Sequence, residues 1–440
     1  MDLLRGKIKN LYFKYLAAAF GSALITSIYS IVDMAMVGQY QGPEGVAALA
    51  VVAPIWNVIY SLGLLMGIGG SVIFSTLRGG KRNKKEDENE YFTAAVIGSV
   101  VLASLAWAGI ICFERPVLLF FGAEEVTLSL AQVYLVPIKY VFPCFLFNQM
   151  LAAFLRNDKN PGLATGAVLS GGIFNVVGDY VFVFVLDMGI FGAGLATAMG
   201  SVITFLVMLT HFLTKRNTLA LVRPFRALDK MRKIVITGFS TFFIDVAMGI
   251  LTVLFNRQIM KYLGTDAVYG VIVNVSTFVQ CCAYSVGQAA QPIISINYGA
   301  KLGGRIKETL KYSLAMAVFF SAFWTALTLM VPNLFIKIFM SPTPEVLQIA
   351  PGIIRVYGIS FLLLPLNIFS TYYFQALMKP KAAFFVSLSR GMVISGLLIL
   401  SLPVLLRPDA LWMAMPVTEL VVVVFVMARM KKYTKELSIS

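Results

Sequence analysis

The stretch GGIFNVVGDYVFVFV (residues 171–185) is apolar enough to lie in lipid, yet it carries Asn175 and Asp179. Residues i and i+4 share one face of a helix, so the amide and the carboxylic acid point the same way. An ionised carboxylate that faces lipid costs at least about 2.5–3.5 kcal/mol, so this face is expected to line a cavity or meet a partner. The stretch therefore predicts a membrane-spanning helix with a polar, functional face.

The rest of the chain has the composition of a membrane protein. Of its 440 residues, 59% are hydrophobic and 13% are charged, and the mean hydropathy is +0.83. Soluble domains average about 45–50% apolar and about 25% charged residues. Apolar runs that reach the roughly 20 residues needed to span a bilayer occur at about 14–38, 47–77, 91–113, 131–155, 163–186, 190–213, 234–261, 266–298, 312–336, 350–377, 382–405 and 411–430. The predicted fold is an all-α polytopic membrane protein with 12 transmembrane helices.

The position of the basic residues explains the formal net charge of +15. The N-terminal arm, the C-terminal end and five alternate loops hold 28 of the 36 Lys and Arg residues, all on one face of a twelve-span topology. Because basic residues accumulate on the cytoplasmic side, we expect both termini to be cytoplasmic in a plasma (inner) membrane. The charge is then a topological signal, and no nucleic-acid partner is expected. A patch that binds lipid headgroups is a compatible alternative.

The chain also contains a duplication. YQGPEGVAAL (40–49) resembles YLGTDAVYGV (262–271), and FLRNDKNPGLATGAVLSGG resembles FQALMKPKAAFFVSLSRG at an offset near 219–220 residues. Each half holds six predicted spans, so both halves insert the same way up, which predicts two six-helix lobes related by a pseudo-two-fold axis along the membrane normal. The predicted domains are an N-lobe (1–213), a cytoplasmic inter-lobe linker (214–233) and a C-lobe (234–440).

Four oxygen-bearing side chains are predicted to lie at one depth in the outer half of the first lobe. With a rise of 1.5 Å per residue, Asp33 and Asp179 lie about 24–28 Å from the cytoplasmic surface, and Asn175 and Thr197 fall nearby. Two carboxylates held together repel unless a cation or a proton lies between them, so the set predicts an ion-coupling site. The alternative is that Asp33 caps helix 1 and Asp179 pairs with Lys139 of helix 4.

Three stretches resemble the MATE (multidrug and toxic compound extrusion) family of antiporters. They are SIYSIVDMAMVGQY in helix 1, LRNDKNPGLATGAVLSGGIFNVVGDYVFVFVLDMGIFGAGLATAMGS across helices 4 to 6, and GQAAQPIISINYGAKLGGR at the end of helix 8. The resemblance covers essentially the whole chain. It implies that Asp33, Asn175, Asp179 and Thr197, with Tyr29 beside them, form a cation or proton site, with H⁺ or Na⁺ as the coupling ion.

The resemblance also directs attention to the second lobe. One branch of the family uses an acid in helix 7, which implies Asp245, and Glu419 of helix 12 is a candidate to join it in a C-lobe coupling site. The alternatives are that Glu419 pairs with Arg355 and that Asp245 is a buried, hydrogen-bonded acid. Polar residues of helix 8 are candidates for lining the cavity or for holding helices together: Gln288, Gln291 and Asn297.

The expected function is therefore secondary antiport. The protein would export amphipathic, mostly cationic, drug-like organic compounds in exchange for H⁺ or Na⁺, as a monomer in contact with membrane lipid, without a cofactor and without a metal other than Na⁺. A lipid-linked oligosaccharide flippase is the first rival, since it needs cationic side chains in the spans, and the chain offers Lys139, Arg257 and Arg390. An intramembrane enzyme is the second rival, but the chain has one histidine and no hydrolase or metalloprotease motif.

Overall fold

The computed structural model describes residues 2–80, 87–263, 267–339 and 344–437. The basic stretch 81–86, which entered the topology prediction, and residues 264–266 of the second repeat lie outside these ranges. Within the described ranges every regular element is helical, and twelve helical segments are long and apolar enough to cross a membrane. The predicted all-α fold with twelve spans is confirmed.

The first six spans contain α1 to α6, and the other six contain α7 to α9 and α11 to α15, while α10 lies between the ninth and tenth spans. The first six helices are α1 (Ile8–Gln41), α2 (Pro43–Gly79), α3 (Glu88–Phe120), α4 (Glu125–Asn157), α5 (Pro161–Asp179) and α6 (Gly189–Leu209). The next five are α7 (Ala227–Tyr262), α8 (Ala267–Gly299), α9 (Gly303–Met330), α10 (Pro332–Phe339) and α11 (Pro344–Gly358). The last four are α12 (Leu364–Ala376), α13 (Pro380–Leu388), α14 (Ile394–Leu405) and α15 (Ala414–Glu436).

Several spans change helix type along their length. α5 continues as a π-helix over Tyr180–Val185, and α13 is joined to α14 by a π-helix over Ser389–Val393. A 3₁₀ turn over Ile359–Leu362 separates α11 from α12, where Pro365 lies in the first turn. Proline is compatible with the first turn of a helix because its missing N–H has no partner there in any case. The tenth and eleventh spans are therefore each built from two α-helices.

The chain divides into two compact units. Unit 1 contains Ala17–Phe242, and unit 2 contains Leu3–Leu16 together with the chain from Phe243 onward. The start of α1 belongs to unit 2 because Tyr12 and its apolar neighbours lie in the same hydrophobic cluster as residues of α8, α9, α12 and α15. The predicted lobes, 1–213 and 234–440, follow the symmetry of the repeat, whereas these units follow packing. The two divisions differ at the first turns of α1 and over residues 214–242.

Hydrogen bonds from the backbone amides of residues 214–226 attach this stretch to the rest of unit 1. The amides of Ala220, Val222 and Phe225 donate to the side chains of Asn89, Thr93 and Glu90, which lie in the first turns of α3. α3 begins at this point because Asp87 is its N-cap and accepts a hydrogen bond from the Asn89 amide at 2.9 Å. The predicted linker is thus packed along unit 1.

Candidate functional site

A chain of hydrogen bonds connects α1, α4, α5 and α6 inside unit 1. Asn175 Nδ2 donates to Thr197 Oγ1 at 3.2 Å. The hydroxyl of Tyr134 lies 3.4 Å from the same Thr197 oxygen and donates to Asp33 Oδ2 at 3.0 Å. Asp33, Asn175 and Tyr134 are all buried. Three of the residues predicted from the sequence are therefore brought together, and Tyr134 is the group that joins them.

Four buried oxygens at this point have no hydrogen-bond partner among the described residues. They are Asp33 Oδ1, Asn175 Oδ1 and both carboxylate oxygens of Asp179. Asp179 is completely buried, and its carboxyl interacts electrostatically with that of Asp33. Buried polar atoms are nearly always paired, so a group of unpaired ones needs an explanation. Carboxylate, amide and hydroxyl oxygens are hard ligands, and the set fits a proton or a small hard cation.

Close contacts at glycines allow the helices to meet here. A Cβ atom at Gly171 of α5 would overlap the carbonyl oxygen of Gly200 in α6, and one at Gly194 would overlap the Tyr134 carbonyl oxygen in α4. A Cβ atom at Gly172 would lie 3.2 Å from a ring carbon of Tyr29. Because these positions lack side chains, the helix backbones approach closely enough for the short polar side chains to touch.

The helix type changes directly after Asp179. The following turns are π-helical, with Leu186 N donating to Val181 O at 2.8 Å. This wider turn fits against α6 at Gly192, where a Cβ atom would lie 2.7 Å from the carbonyl carbon of Phe182. Short π segments inside α-helices are frequent at functional sites. The segment thus marks the same end of α5 that carries the unpaired carboxylate.

The pairings offered as alternatives for the two acids do not occur. Lys139 Nζ lies 2.7 Å from Glu114 Oε2, and within the described part of the chain neither carboxylate oxygen of Asp179 has a hydrogen-bond partner. Asp33 lies two turns before the end of α1, so it does not cap that helix. Tyr29, which is half-buried, interacts electrostatically with Tyr60 of α2 at the edge of the site. The functional roles of all five residues stay predictions.

In unit 2 the two candidate acids have different surroundings. Glu419 accepts from Arg390 Nε at 2.6 Å and from Asn367 Nδ2 at 2.6 Å, and both of its carboxylate oxygens are thereby paired. The partner considered from the sequence, Arg355, instead donates through Nε to the Leu329 carbonyl oxygen. Arg390 lies in the π-helical segment Ser389–Val393, and its side chain contacts Glu419 of α15. The pairing of Glu419 with Arg355 was therefore wrong.

Asp245 has a long hydrogen bond from a neighbouring helix. It accepts from the Tyr284 hydroxyl at 3.3 Å, and it lies partly exposed on α7. The alternative of a buried, hydrogen-bonded acid thus agrees with its hydrogen bond, but Asp245 is half-buried rather than buried. A role of Asp245 and Glu419 in ion coupling stays a prediction.

The three polar residues of α8 differ in burial and in hydrogen bonding. Asn297 is fully buried: its Nδ2 donates to the carbonyl oxygens of Leu3 and Ile293, and its Oδ1 accepts from Arg305 Nε at 2.9 Å. It ties the N-terminal arm to α8 and presents no surface for a substrate, contrary to the cavity-lining role considered for it. Gln291 is also buried and Gln288 is half-buried, and their roles stay predictions.

Tyr134 is the residue of this hydrogen-bond chain that the sequence did not predict. It lies in the third turn of α4, about 14 Å from the N-terminal end of that helix at 1.5 Å per residue. This depth matches that of the predicted site. Its depth along α4, obtained from the same rise per residue that placed Asp33 and Asp179, is the signal that could have predicted it. Aromatic hydroxyls were not among the polar groups compared in depth.

The basic residues that favoured a flippase are largely neutralised. Lys139 pairs with Glu114, and Arg390 pairs with Glu419. The third, Arg257, is exposed on α7. A site for a diphosphate needs unpaired cationic donors, and these three residues do not provide a group of them.

Comparison with known proteins gives consistent matches. The model of the family described as MatE matches residues 18–181 and 267–399. The Multidrug export protein MepA of Staphylococcus saprophyticus is 24% identical over 378 residues, covering 84% of this chain and 82% of that protein. MepA of Staphylococcus haemolyticus is 25% identical over 379 residues, with the same shares covered.

Solved structures match over almost the whole length. The MATE multidrug transporter DinF-BH, in complex with R6G, aligns with a TM-score of 0.88 at 25% identity, covering 98% of each chain. An outward-facing multidrug resistance MATE family transporter of the MOP superfamily aligns with a TM-score of 0.88 at 18% identity, covering 100% of this chain and 98% of the other. The second likeness concerns the fold alone.

Proposed function

This chain belongs to the MatE family of membrane transporters, and we propose that it is a secondary antiporter that exports amphipathic, mostly cationic organic compounds in exchange for H⁺ or Na⁺. The observation that carries the proposal is the group of four unpaired, buried oxygens on Asp33, Asn175 and Asp179. A protein that only needed these helices to pack would not retain two interacting buried carboxylates, of which Asp179 has no hydrogen-bond partner among the described residues and Asp33 is paired through Oδ2 alone, because burying unpaired charge is costly.

The coupling ion would bind between the two carboxylates. A proton or Na⁺ placed there relieves the repulsion between Asp33 and Asp179. The Asn175 and Asp33 oxygens that lack partners would complete the coordination, while Tyr134 and Thr197 hold their neighbours in position through the hydrogen bonds described above. Binding of the ion makes the charge of this site in unit 1 less negative. A cationic substrate is then attracted to it more weakly.

An aromatic cluster beside the site supports a flat, cationic substrate. Tyr29 interacts electrostatically with Tyr60. Between ring centroids, Tyr60 lies 6.1 Å from Trp56, and Trp56 lies 4.6 Å from Phe145. Trp56 and Tyr60 are only half-buried. Aromatic faces attract organic cations, most strongly when water is excluded. Related proteins are named as multidrug export proteins, and one was solved with R6G bound.

The proposal also covers the oligomeric state, the membrane and the orientation of the chain. The protein would work as a monomer in the plasma (inner) membrane, with both termini in the cytoplasm and with two six-helix lobes on either side of the linker at 214–233. The distribution of Lys and Arg supports this orientation. The two solved structures described above are of transporters, and no arrangement among the described residues favours catalysis or a flippase over transport.

The test is dye efflux from proteoliposomes with H⁺ and Na⁺ gradients imposed separately. Wild-type protein is expected to expel a cationic dye under one of the two gradients, and D33N and D179N are expected to lose most of that efflux because each removes a charge from the ion site. D229N is the matched control, since Asp229 is an exposed acid at the start of α7. Wild-type rates for D33N and D179N, with insertion into the membrane verified, would refute the proposal.

A further inference from the structure

The segment 212–228, called here the interfacial segment, exposes large apolar side chains. Leu213, Leu221, Phe225 and Leu228 are 88%, 70%, 72% and 80% exposed. The segment runs from the end of the sixth span, Gly189–Leu213, to the first turn of α7, so it lies outside the hydrocarbon core for most of its length. Apolar groups grouped in this way on a surface mark a contact with a protein or a membrane.

Hydrogen bonds to the rest of unit 1 hold the interfacial segment in a conformation that exposes these apolar side chains. Thr218 donates to Asp158 through both its backbone amide and its hydroxyl, and the amides of Ala220 and Val222 donate to Asn89 Oδ1 at 3.1 Å and Thr93 Oγ1 at 3.0 Å. Leu219 is buried. The backbone of the segment is therefore attached to unit 1, and attachment fixes which side chains point outward.

The charge of the same surface is positive. Lys215, Arg216, Arg223 and Arg226 are exposed, and residues 212–228 contain no acid. The guanidinium of Arg226 lies 5.5 Å from the centroid of the Phe225 ring. Basic residues interleaved with Leu and Phe are typical of surfaces that lie in the headgroup layer of a membrane containing anionic lipid.

We propose that the interfacial segment binds anionic phospholipids of the adjoining leaflet. Its leucine and phenylalanine side chains would insert between acyl chains, and its basic side chains would contact the headgroup phosphates. The position of the segment between two spans supports a membrane as the partner, because both of its ends are already at the level of the headgroups. A soluble anion would satisfy the basic residues but would leave the four apolar side chains in water. This inference is independent of the proposed transport function.

The first experiment measures how deep the segment lies. A fluorophore sensitive to polarity is attached at L221C, in a full-length background whose four native cysteines are replaced, and the protein is reconstituted in phosphatidylcholine with and without phosphatidylglycerol. We expect a blue shift of emission and quenching by a lipid-borne quencher, both larger with phosphatidylglycerol and both reduced by salt. Quenching by aqueous iodide alone in both membranes would overturn the proposal.

The second experiment tests the basic residues without relying on the label. Wild-type protein in detergent is expected to gain about 2–4 °C in its unfolding midpoint when phosphatidylglycerol is added, relative to phosphatidylcholine. R223Q/R226Q is expected to lose most of this gain. K431Q/K432Q is the matched control, since it removes the same charge from two exposed positions of α15 and is expected to keep the gain.

Three results of the second experiment would contradict the proposal. They are no gain in the wild type, an equal loss in both double variants, and an equal gain from soluble glycerol phosphate. The last result would indicate a site for a soluble anion.

Discussion

Arg390 and Glu419 form a buried ion pair in unit 2, with Arg390 Nε 2.6 Å from Glu419 Oε1. By the repeat offset of 219 residues they correspond to Gly171 and Gly200 in unit 1. Those two glycines lie where the α5 and α6 backbones touch. The same position in the two halves of the duplication is thus occupied by two glycines in one unit and by an ion pair in the other.

A neighbouring hydrogen bond is common to both units. Asn148 donates from Nδ2 to the carbonyl oxygen of Ser201 at 3.0 Å, and Asn367 donates from Nδ2 to the carbonyl oxygen of Glu419 at 3.0 Å. The two asparagines are separated by the same repeat offset. The two acceptors are offset by 218 residues, one position out of register with the donors. The halves therefore share an asparagine that donates to the backbone of their sixth span, whereas they differ in the polar groups placed next to it.

We expect Glu419 to be required mainly for stability. E419Q leaves the guanidinium of Arg390 buried without a charged partner, and breaking such a pair costs about 3–5 kcal/mol. E436Q is the control, because Glu436 pairs with Lys379 at 3.7 Å on the surface, where an ion pair contributes about 0–1 kcal/mol. The measurement is thermal unfolding in detergent. Equal unfolding midpoints for the two variants would show that the buried pair is not important for folding.

The glycine contact between α5 and α6 predicts a steric effect. In G171A the new methyl group would overlap the Gly200 carbonyl oxygen and Thr204 Oγ1, which should force the helices apart and destabilise the protein by about 1–3 kcal/mol. Dye efflux should fall as well, since Asn175 and Thr197 lie next to the contact.

G166A is the matched control for that prediction. Gly166 lies in the same helix, and a Cβ atom there would have no neighbour within 4 Å. Replacing a helical glycine by alanine stabilises by about 0.5–1 kcal/mol, so G166A should unfold at or above the wild-type temperature and retain efflux. Identical behaviour of the two variants would rule out a tight contact between α5 and α6.

Tyr134 is expected to act through its hydroxyl. Y134F keeps the ring but removes the donor to Asp33, and a hydrogen bond to a charged group is worth about 1.5–3 kcal/mol, so we expect at least about a tenfold loss of efflux with little loss of folded protein. Y140F is the control because Tyr140, on the same helix, is largely exposed. The comparison is made on initial rates in proteoliposomes. Full efflux by Y134F would remove Tyr134 from the site.

Asp158 is expected to hold the interfacial segment to unit 1 over a wide pH range. Burial would raise its pKa, but hydrogen bonds from His211, Thr218 and Arg78 outweigh burial and keep the pKa below its ordinary value of 3.8. A carboxylate with a lowered pKa stabilises the folded state above its unfolded-state pKa and loses that contribution as the pH falls through the folded value. The attachment is therefore expected to be complete at neutral pH and to weaken only below about pH 4.

Hydrogen exchange tests this attachment. In D158N the amide of Thr218, which donates to Asp158 Oδ2 at 2.9 Å, should lose protection at neutral pH, while amides in the middle of α6 serve as an internal control. The wild type should show constant protection of Thr218 from pH 7 to pH 5. A loss of protection in that range, or an unchanged Thr218 amide in D158N, would show that Asp158 does not hold the segment.

Much of the fold could be read from local patterns. The twelve spans follow from hydropathy because a backbone in lipid must satisfy its own hydrogen bonds within each helix. The depth of Asp33, Asn175, Asp179 and Thr197 follows from the constant rise of a helix. These arguments need only one span at a time, which is why they do not depend on how the helices pack.

The packing of helices against each other could not be obtained in this way. Tyr134 joins Asp33 to Thr197, and Arg390 rather than Arg355 pairs with Glu419, because of the rotation of each helix about its own axis and the places where two helices cross. Rotation and crossing depend on side-chain volumes from several spans at once. Sequence alone thus determined that polar groups lie at one level of the membrane, and only the tertiary structure decided which of them touch.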